Sequence, residues 1–313
     1  MSLVRRLIRR DIEVIPRLED LYPRVNIPTL NIDRSKLIIN YVWTIGYFEL
    51  IKQVAAPHLK LPESIRRSIS LRLRELVSGV SVNSNTKKCV LYLRQKAENS
   101  NDYHNYRRSG SPLEDYLPAV QFLNASGYQV LVTGDVALPD GVLREFRGML
   151  TDARLARLDP ELFDLYASTE ADIFVGDPGG GVWLAGLNEI PRLLINAFPY
   201  FFGLPASWVN YKTLYDGQGR LVHFDRLFNE FSHDYELTGY TLKNNSAQEI
   251  LSAIQTFLQD LENPGNPDPG RKILETVPDF IWAKHAGTRI CRTWLALFDA
   301  RNARNPAQKL EVG

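Results

Sequence analysis

Ala171-Asp172-Ile173-Phe174-Val175-Gly176-Asp177-Pro178-Gly179-Gly180-Gly181 is the stretch that decides the fold. Its first half is a short apolar run without polar alternation, which suits a strand buried on both faces. It stops at Gly and Pro, residues that end strands and open turns. Apolar residues resume at once over 182–188, which reads as a helix, and 191–196 reads as the next strand. Working upstream, the same rhythm recurs. Residues 89–93 form an apolar strand, 94–111 a long polar loop, and 112–125 an amphipathic helix with Pro112 in its first turn and Gly127 just past its end. A strand over 128–132 then runs into Thr133-Gly134-Asp135, and helices are expected over 140–150 and 160–168. Downstream, Ser246 and Glu249 have capping-box spacing at the start of a helix over 246–261. Strands and helices in alternation, with continuously apolar strands, imply an α/β fold: a Rossmann-like parallel sheet with helices on both faces.

The flanks differ. Before Thr86, Pro16, Pro23 and Pro28 break the chain, one strand is expected over 36–43, and a helix with interspersed arginines over 64–77. After residue 262 comes Asn263-Pro264-Gly265-Asn266-Pro267-Asp268-Pro269-Gly270, a linker, and then a helical tail through Trp282 and Trp294. The expected organisation is a reduced N-terminal α/β region over 1–85, a ligand-binding domain over 86–262, and a linker with a helical tail over 263–313.

Composition narrows the function classes. Of 313 residues, 44% are hydrophobic and 23% charged, enough for a packed core. The net charge of +1 argues against a dedicated nucleic-acid binder. Cys89 and Cys291 are the only cysteines, and neither has a second Cys or a His at metal-ligand spacing. They read as reduced thiols in a cytoplasmic chain, and no metal site is expected. No apolar run reaches the ~18 residues of a membrane span. The first ten residues carry four arginines and no apolar core, so they do not read as a secretory signal. In Leu3-Val4-Arg5-Arg6-Leu7-Ile8-Arg9-Arg10 apolar and basic pairs alternate. Such a helix suits peripheral contact with an anionic inner membrane face, or a solvated helix packed on the domain.

In an open parallel sheet, ligands bind beyond the carboxyl ends of the strands. Three loops leave such ends. The first begins with Arg94 and later offers Arg107 and Arg108, whose guanidinium groups pair with phosphate oxygens. The second is Gly134-Asp135, where glycine admits close approach and the carboxylate accepts from sugar hydroxyls. The third is Asp177-Pro178-Gly179-Gly180-Gly181 before a helix, whose exposed amides would receive a diphosphate. The usual nucleotide fingerprints are absent. Leu184 stands where a dinucleotide motif needs its last Gly, and Leu187-Asn188 where a P-loop needs Lys-Ser/Thr. His58, His104, His223, His233 and His285 are scattered, and no G-x-S-x-G elbow occurs.

Val90-Leu91-Tyr92-Leu93-Arg94, Tyr106-Arg107-Arg108-Ser109, Asp115-Tyr116-Leu117-Pro118-Ala119-Val120-Gln121-Phe122-Leu123, Gly127-Tyr128-Gln129-Val130-Leu131-Val132-Thr133-Gly134-Asp135 and the opening stretch follow one another in an order that resembles a family. It is that of bacterial glycosyltransferases from surface-polysaccharide gene clusters, of the GT-B class and distantly similar to fucosyltransferases. Asp216-Gly217-Gln218-Gly219-Arg220-Leu221 and Asn245-Ser246-Ala247-Gln248-Glu249-Ile250 look like its downstream loop and closing helix. The likeness covers about half the chain.

The resemblance implies transfer of a sugar from a GDP- or UDP-linked donor to a cell-surface polysaccharide or glycolipid acceptor, with no further cofactor. Arg94 would face the diphosphate and Gly179, Gly180 and Gly181 would supply amides. No Asp-x-Asp is present, so arginines and amides would take the charge that a metal ion neutralises elsewhere. The acceptor and the general base would come from the N-terminal side. Tyr47 stands where the family has His in an Ile-Gly-His turn, and tyrosine is a poor base near neutral pH. The base then falls to Glu49, Asp102 or His104. A second copy of the chain could complete the shortened half as a homo-oligomer. A non-catalytic relative that binds a nucleotide sugar or a partner protein is the alternative reading.

Overall fold

The structure, a computed structural model, describes residues 86–94, 110–136, 138–200, 202–204, 207–231, 237–277, 282–285 and 287–302, with the single positions 67 and 71. The basic first helix, the strand over 36–43, Tyr47, Glu49, Asp102, His104, Arg107 and Arg108 lie outside the described residues.

The chain enters the sheet at β1 (Lys87–Leu93), whose residues after the first are all buried. It crosses through α1 (Leu113–Ala125) to β2 (Tyr128–Gly134). A short α2 (Asp140–Glu145) and β3 (Leu150–Thr151) follow, then α3 (Pro160–Glu170), β4 (Ile173–Gly176), α4 (Gly180–Leu187) and β5 (Arg192–Ala197). Next come β6 (Ser207–Tyr211), β7 (Thr213–Tyr215), α5 (Phe224–Glu230), β8 (Thr241–Lys243) and α6 (Ala247–Glu262). The described chain ends with α7 (Pro269–Thr276), α8 (Trp282–His285), β9 (Arg289–Ile290) and α9 (Arg292–Asn302).

Seven strands pair in the order β3-β2-β1-β4-β5-β6-β9, every neighbouring pair parallel. The first six reproduce the doubly wound order, in which the winding reverses once. Here it reverses between β1 and β4. With right-handed crossovers, the helices on either side of that reversal fall on opposite faces. Accordingly α1 packs with α6 and α6 with α9, while α3 packs with α4. The expected α/β class, a Rossmann-like parallel sheet flanked by helices, is the observed one.

Local chemistry explains the helix ends. Asp159 caps α3 by accepting from the amides of Glu161 and Leu162, with Pro160 at the first helical position. Ser246 and Glu249 form the full capping box of α6. Gly127, at φ +85°, turns the chain out of α1 directly into β2.

Three expectations need correction. The helix over 140–150 stops at Glu145, because Gly148 at φ +85° reverses the chain and Leu150–Thr151 pairs with β2 instead. The helix expected from 182 begins at Gly180, so two of the three glycines are helical. The tail is not purely helical. Arg289–Ile290 pairs with β6 as the seventh strand, too short for any periodicity to announce it. Arg292 bridges the buried Asp260 of α6 at 2.5 Å, and Trp208 of β6 donates to the same carboxylate at 3.1 Å. Trp294 packs edge-on to Tyr211 with ring centroids 5.4 Å apart. Packing therefore continues across the expected boundary at residue 262.

Candidate functional site

The reversal in strand order leaves a crevice at the carboxyl ends of β1 and β4, where the loops after neighbouring strands part in opposite directions. Arg94 leaves β1 there and Asp177 leaves β4. The Arg94 amide donates to Oδ2 of Asp177 at 3.0 Å, and its Nη1 donates to the Pro178 carbonyl at 3.2 Å. A Cβ on Gly179 would sit 2.9 Å from Cδ of Arg94, so the arginine side chain lies along the glycine loop.

The glycines in that loop have a neighbour that periodicity does not reveal. A Cβ on Gly179 would come within 2.7 Å of the Tyr92 hydroxyl, and one on Gly181 within 2.6 Å of its ring. Tyr92, projecting from β1, thus demands two of the three glycines. Gly180 is different: it is exposed and nothing lies within 4 Å of its open side. Of the three, Gly180 is the exposed residue, and it is the first of the helix.

Gly134 and Asp135, at the end of β2, are exposed on the same rim. Gly134, at φ +99°, is required by β1: a Cβ there would meet the Leu93 carbonyl at 2.2 Å. The Asp135 amide donates to that carbonyl at 3.0 Å, which aligns the two loop exits. Asp164, on α3, joins this rim and was missed from sequence, since nothing in its helix marks it. Burial raises its carboxyl to about 6, with Asp135 and Glu161 adding to the shift. Burial also raises the Tyr92 phenol, and Asp135 and Asp164 add to that, opposed by Arg94 and the Gly181 amide. These side chains therefore share one electrostatic neighbourhood. A half-buried carboxyl near 6 exchanges protons in the neutral range, and paired carboxylates accept from vicinal hydroxyls.

Asp177 requires a correction. Read from sequence as a ligand contact, it is fully buried, and protein donors occupy its carboxylate. Besides the Arg94 amide, Oδ1 accepts from the Tyr116 hydroxyl at 3.1 Å and from Nδ2 of Asn196 at 3.1 Å. A Cβ on Gly110 would lie 1.8 Å from Oδ2, so a glycine covers the group. Burial pushes the carboxyl up to about 6, offset in part by these donors and by Lys212. Burial in turn lowers Lys212 to about 8, offset in part by Asp177.

Asn196 is the second residue missed. It sits at φ +56° where the β5–β6 register shifts, and asparagine tolerates that backbone better than most residues. The irregularity lets its amide reach Asp177, Tyr116 and Ser111. It also pairs reciprocally with Asn245: each backbone amide donates to the other side-chain oxygen, at 2.9 and 2.6 Å. Nδ2 of Asn245 donates to the Tyr211 carbonyl at 2.9 Å, and the Ser111 hydroxyl to the Asn245 carbonyl at 2.8 Å. Ends of β1, β4, β5, β6, α1 and α6 are joined through this hub.

At the opposite rim, Lys87, Phe122, Tyr128, Gln255, Leu258 and Glu262 line a cavity of about 560 Å³ between α1 and α6. None of the expected site residues lies there. Among the described residues no helix is long and apolar enough to cross a membrane.

No protein-family model matches the chain, and no curated protein matches it. Among solved structures it is similar to the wall teichoic acid polymerase TagF, at 11% identity and a TM-score of 0.30, over 54% of this chain and 44% of that one. A variant form of the same polymerase soaked with CDPG gives 11% identity and a TM-score of 0.33, over 76% of this chain and 63% of that one. The chain thus spans less than two thirds of the length of these structures.

Proposed function

We propose that the chain binds a nucleoside diphosphate sugar at the switch point and transfers its sugar to a saccharide or glycolipid acceptor. One observation carries the reading: Arg94 lies along Pro178 and Gly179 at the mouth of α4, beside the exposed Gly180 that opens the helix. A guanidinium and a helix N-terminus bring roughly one and a half positive charges to one anion without a metal ion. Arg94 and Gly180 then take the diphosphate, and Asp135 accepts from a hydroxyl of the ribose or the sugar. Arg108 adds charge from the long loop. The donor is GDP- or UDP-linked, and the acceptor and base come from residues 1–85 or the long loop, with Glu49, Asp102 and His104 the candidates. Work at the cytoplasmic membrane face, with residues 1–10 as the contact, and assembly with a second copy belong to the same proposal.

Calorimetric titration of the full chain with GDP, UDP and their sugars tests the reading. The expected result is saturable binding by one nucleotide class, weakened by about tenfold or more in Arg94→Ala. Absence of heat with every nucleotide would end it. A second reading, binding without transfer, draws on Tyr47, which stands where the resembled family has the histidine of an Ile-Gly-His turn. Release of free nucleotide from a bound donor, given a cell-extract acceptor, would exclude that alternative.

A further inference from the structure

We propose that Asp177 is a positioning residue: with Tyr116 and Asn196 it forms a buried clasp that sets Arg94 at the mouth of the glycine loop. The inference rests on the reading of that loop as an anion site, and goes beyond it by naming what holds the site's cation.

Arg94 is fastened at both ends by two consecutive residues. Its amide donates to the Asp177 carboxylate, and its guanidinium donates to the carbonyl of Pro178, the next residue. Its own carbonyl accepts from the Gly110 amide at 3.1 Å, and Gly110 is the residue packed on Asp177. Every polar group of the Arg94 backbone is thus tied to the clasp. Asp177 itself touches no solvent, so it acts on a ligand only through Arg94.

The clasp is not a device for stability. Three hydrogen bonds and a nearby lysine do not outweigh the loss of hydration at this carboxylate, which is why its acidity falls. A neutral group of the same shape would sit there at less cost, as buried ion pairs generally show. An asparagine, however, offers one acceptor oxygen where the carboxylate offers two. It cannot serve the Arg94 amide and the Tyr116–Asn196 pair together. The charge is what lets one side chain hold three donors from three elements.

The charged and titratable groups facing this carboxylate are Tyr116 from α1 and Lys212 after β6, and Arg94 meets it through its backbone amide. Asn196 from β5 and Gly110 are neutral. Burial holds Tyr116 well above the ordinary tyrosine range. Between pH 7.0 and 5.0 Asp177 is therefore the group in the clasp that changes charge.

The test is a double-mutant cycle in the full chain, with UDP and GDP as probes. Asp177→Asn and Arg94→Ala are each expected to weaken binding by about tenfold or more, and the double variant to bind no more weakly than Arg94→Ala. Fully multiplicative losses would show that Asp177 acts independently of Arg94 and overturn the proposal. On lowering the pH from 7.0 to 5.0, wild-type affinity should fall more steeply than that of Asp177→Asn. Titration of the probe's phosphate and of Asp164, raised to about 6, is common to both proteins, so parallel profiles overturn the proposal too.

Amide exchange at Arg94 needs no ligand and separates the two readings. Protection should drop by about tenfold or more in Asp177→Asn. Unchanged protection refutes the clasp even if nucleotides bind. Lost protection supports it even if no nucleotide binds, in which case the anion reading alone fails. Should Asp177→Asn not fold, Tyr116→Phe removes one donor from the same carboxylate, and a smaller loss at Arg94 is then expected. No change in that variant would count against the proposal.

Discussion

The two sides of the switch point are built differently. Behind it, at the ends of β4 and β5, Asp177, Asn196, Tyr116 and Asn245 are buried and hydrogen-bonded to one another and to backbone. In front of it, at the ends of β1 and β2 and the start of α4, Gly134, Asp135 and Gly180 are exposed, and Arg94 and Asp164 of α3 are partly so. Buried polar groups must satisfy one another, whereas a rim that will meet a ligand keeps groups accessible. The contrast divides labour: the closed side holds geometry, and the open side meets the ligand. Substitutions behind the crevice should therefore act on stability or through Arg94, and those in front on affinity.

The largest effect is expected on the closed side. Asn245→Ala removes the acceptor of the Asn196 amide and the donor to the Tyr211 carbonyl, leaving both buried groups unsatisfied. It should lower stability by about 3 kcal/mol in urea unfolding, with the slope unchanged. A loss under ~0.5 kcal/mol would mean that the reciprocal pair does not hold the hub.

Next comes the pH dependence of the same hub. In the folded chain Asp177 is raised from 3.8 to about 6, so between those values the folded state holds more protons than the unfolded one. Its contribution to stability is complete below about 4 and is lost as the pH rises through about 6. Lys212 is lowered from 10.5 to about 8, so the folded state holds fewer protons in that interval, and stability recovers as the pH rises across it. Together they place a trough between about 6 and 8, on the order of 3 kcal/mol deep. Asp177→Asn should remove about half of the acid limb, since Asp164 is raised to about 6 as well, and leave the alkaline limb partly in place. Identical stability–pH curves for the two proteins would contradict the electrostatic account.

On the open side, Arg94→Ala should change the melting temperature little while weakening nucleotide binding by about tenfold. Melting by several degrees would move Arg94 to the structural side of the comparison. The smallest effect is expected for Asp135→Asn, which keeps the amide bond to Leu93 and alters only hydroxyl recognition. A loss of about threefold in affinity for a nucleoside diphosphate is expected, with none for inorganic pyrophosphate. Equal losses for both probes would place Asp135 beside the phosphates.

Legibility in the sequence follows the same division. Strands such as β1, β2, β4 and β5 are continuous apolar runs, and helices such as α1 and α6 carry their caps in adjacent residues. Their order could be read, and with it the loops that hold Arg94, Asp135 and Gly180. The clasp could not. Asn196 and Asn245 lie 49 positions apart, and Ser111 bonds a residue 134 positions away. No local pattern encodes such pairings. The triple glycine illustrates the limit: its cost is visible locally, but part of its cause is the Tyr92 ring from another strand. Asp177 misled for the same reason, since its loop reads as exposed until Gly110 and Tyr116 are seen to cover it.

Backbone amide shifts of the full chain, recorded while UDP or GDP is titrated in, test the central claim most directly. The account predicts saturable shifts at Gly179, Gly180 and Arg94, with none at Lys87, Ser126 or Tyr128 around the opposite cavity. Shifts confined to that cavity, or none at the glycine loop at saturating nucleotide, would contradict it.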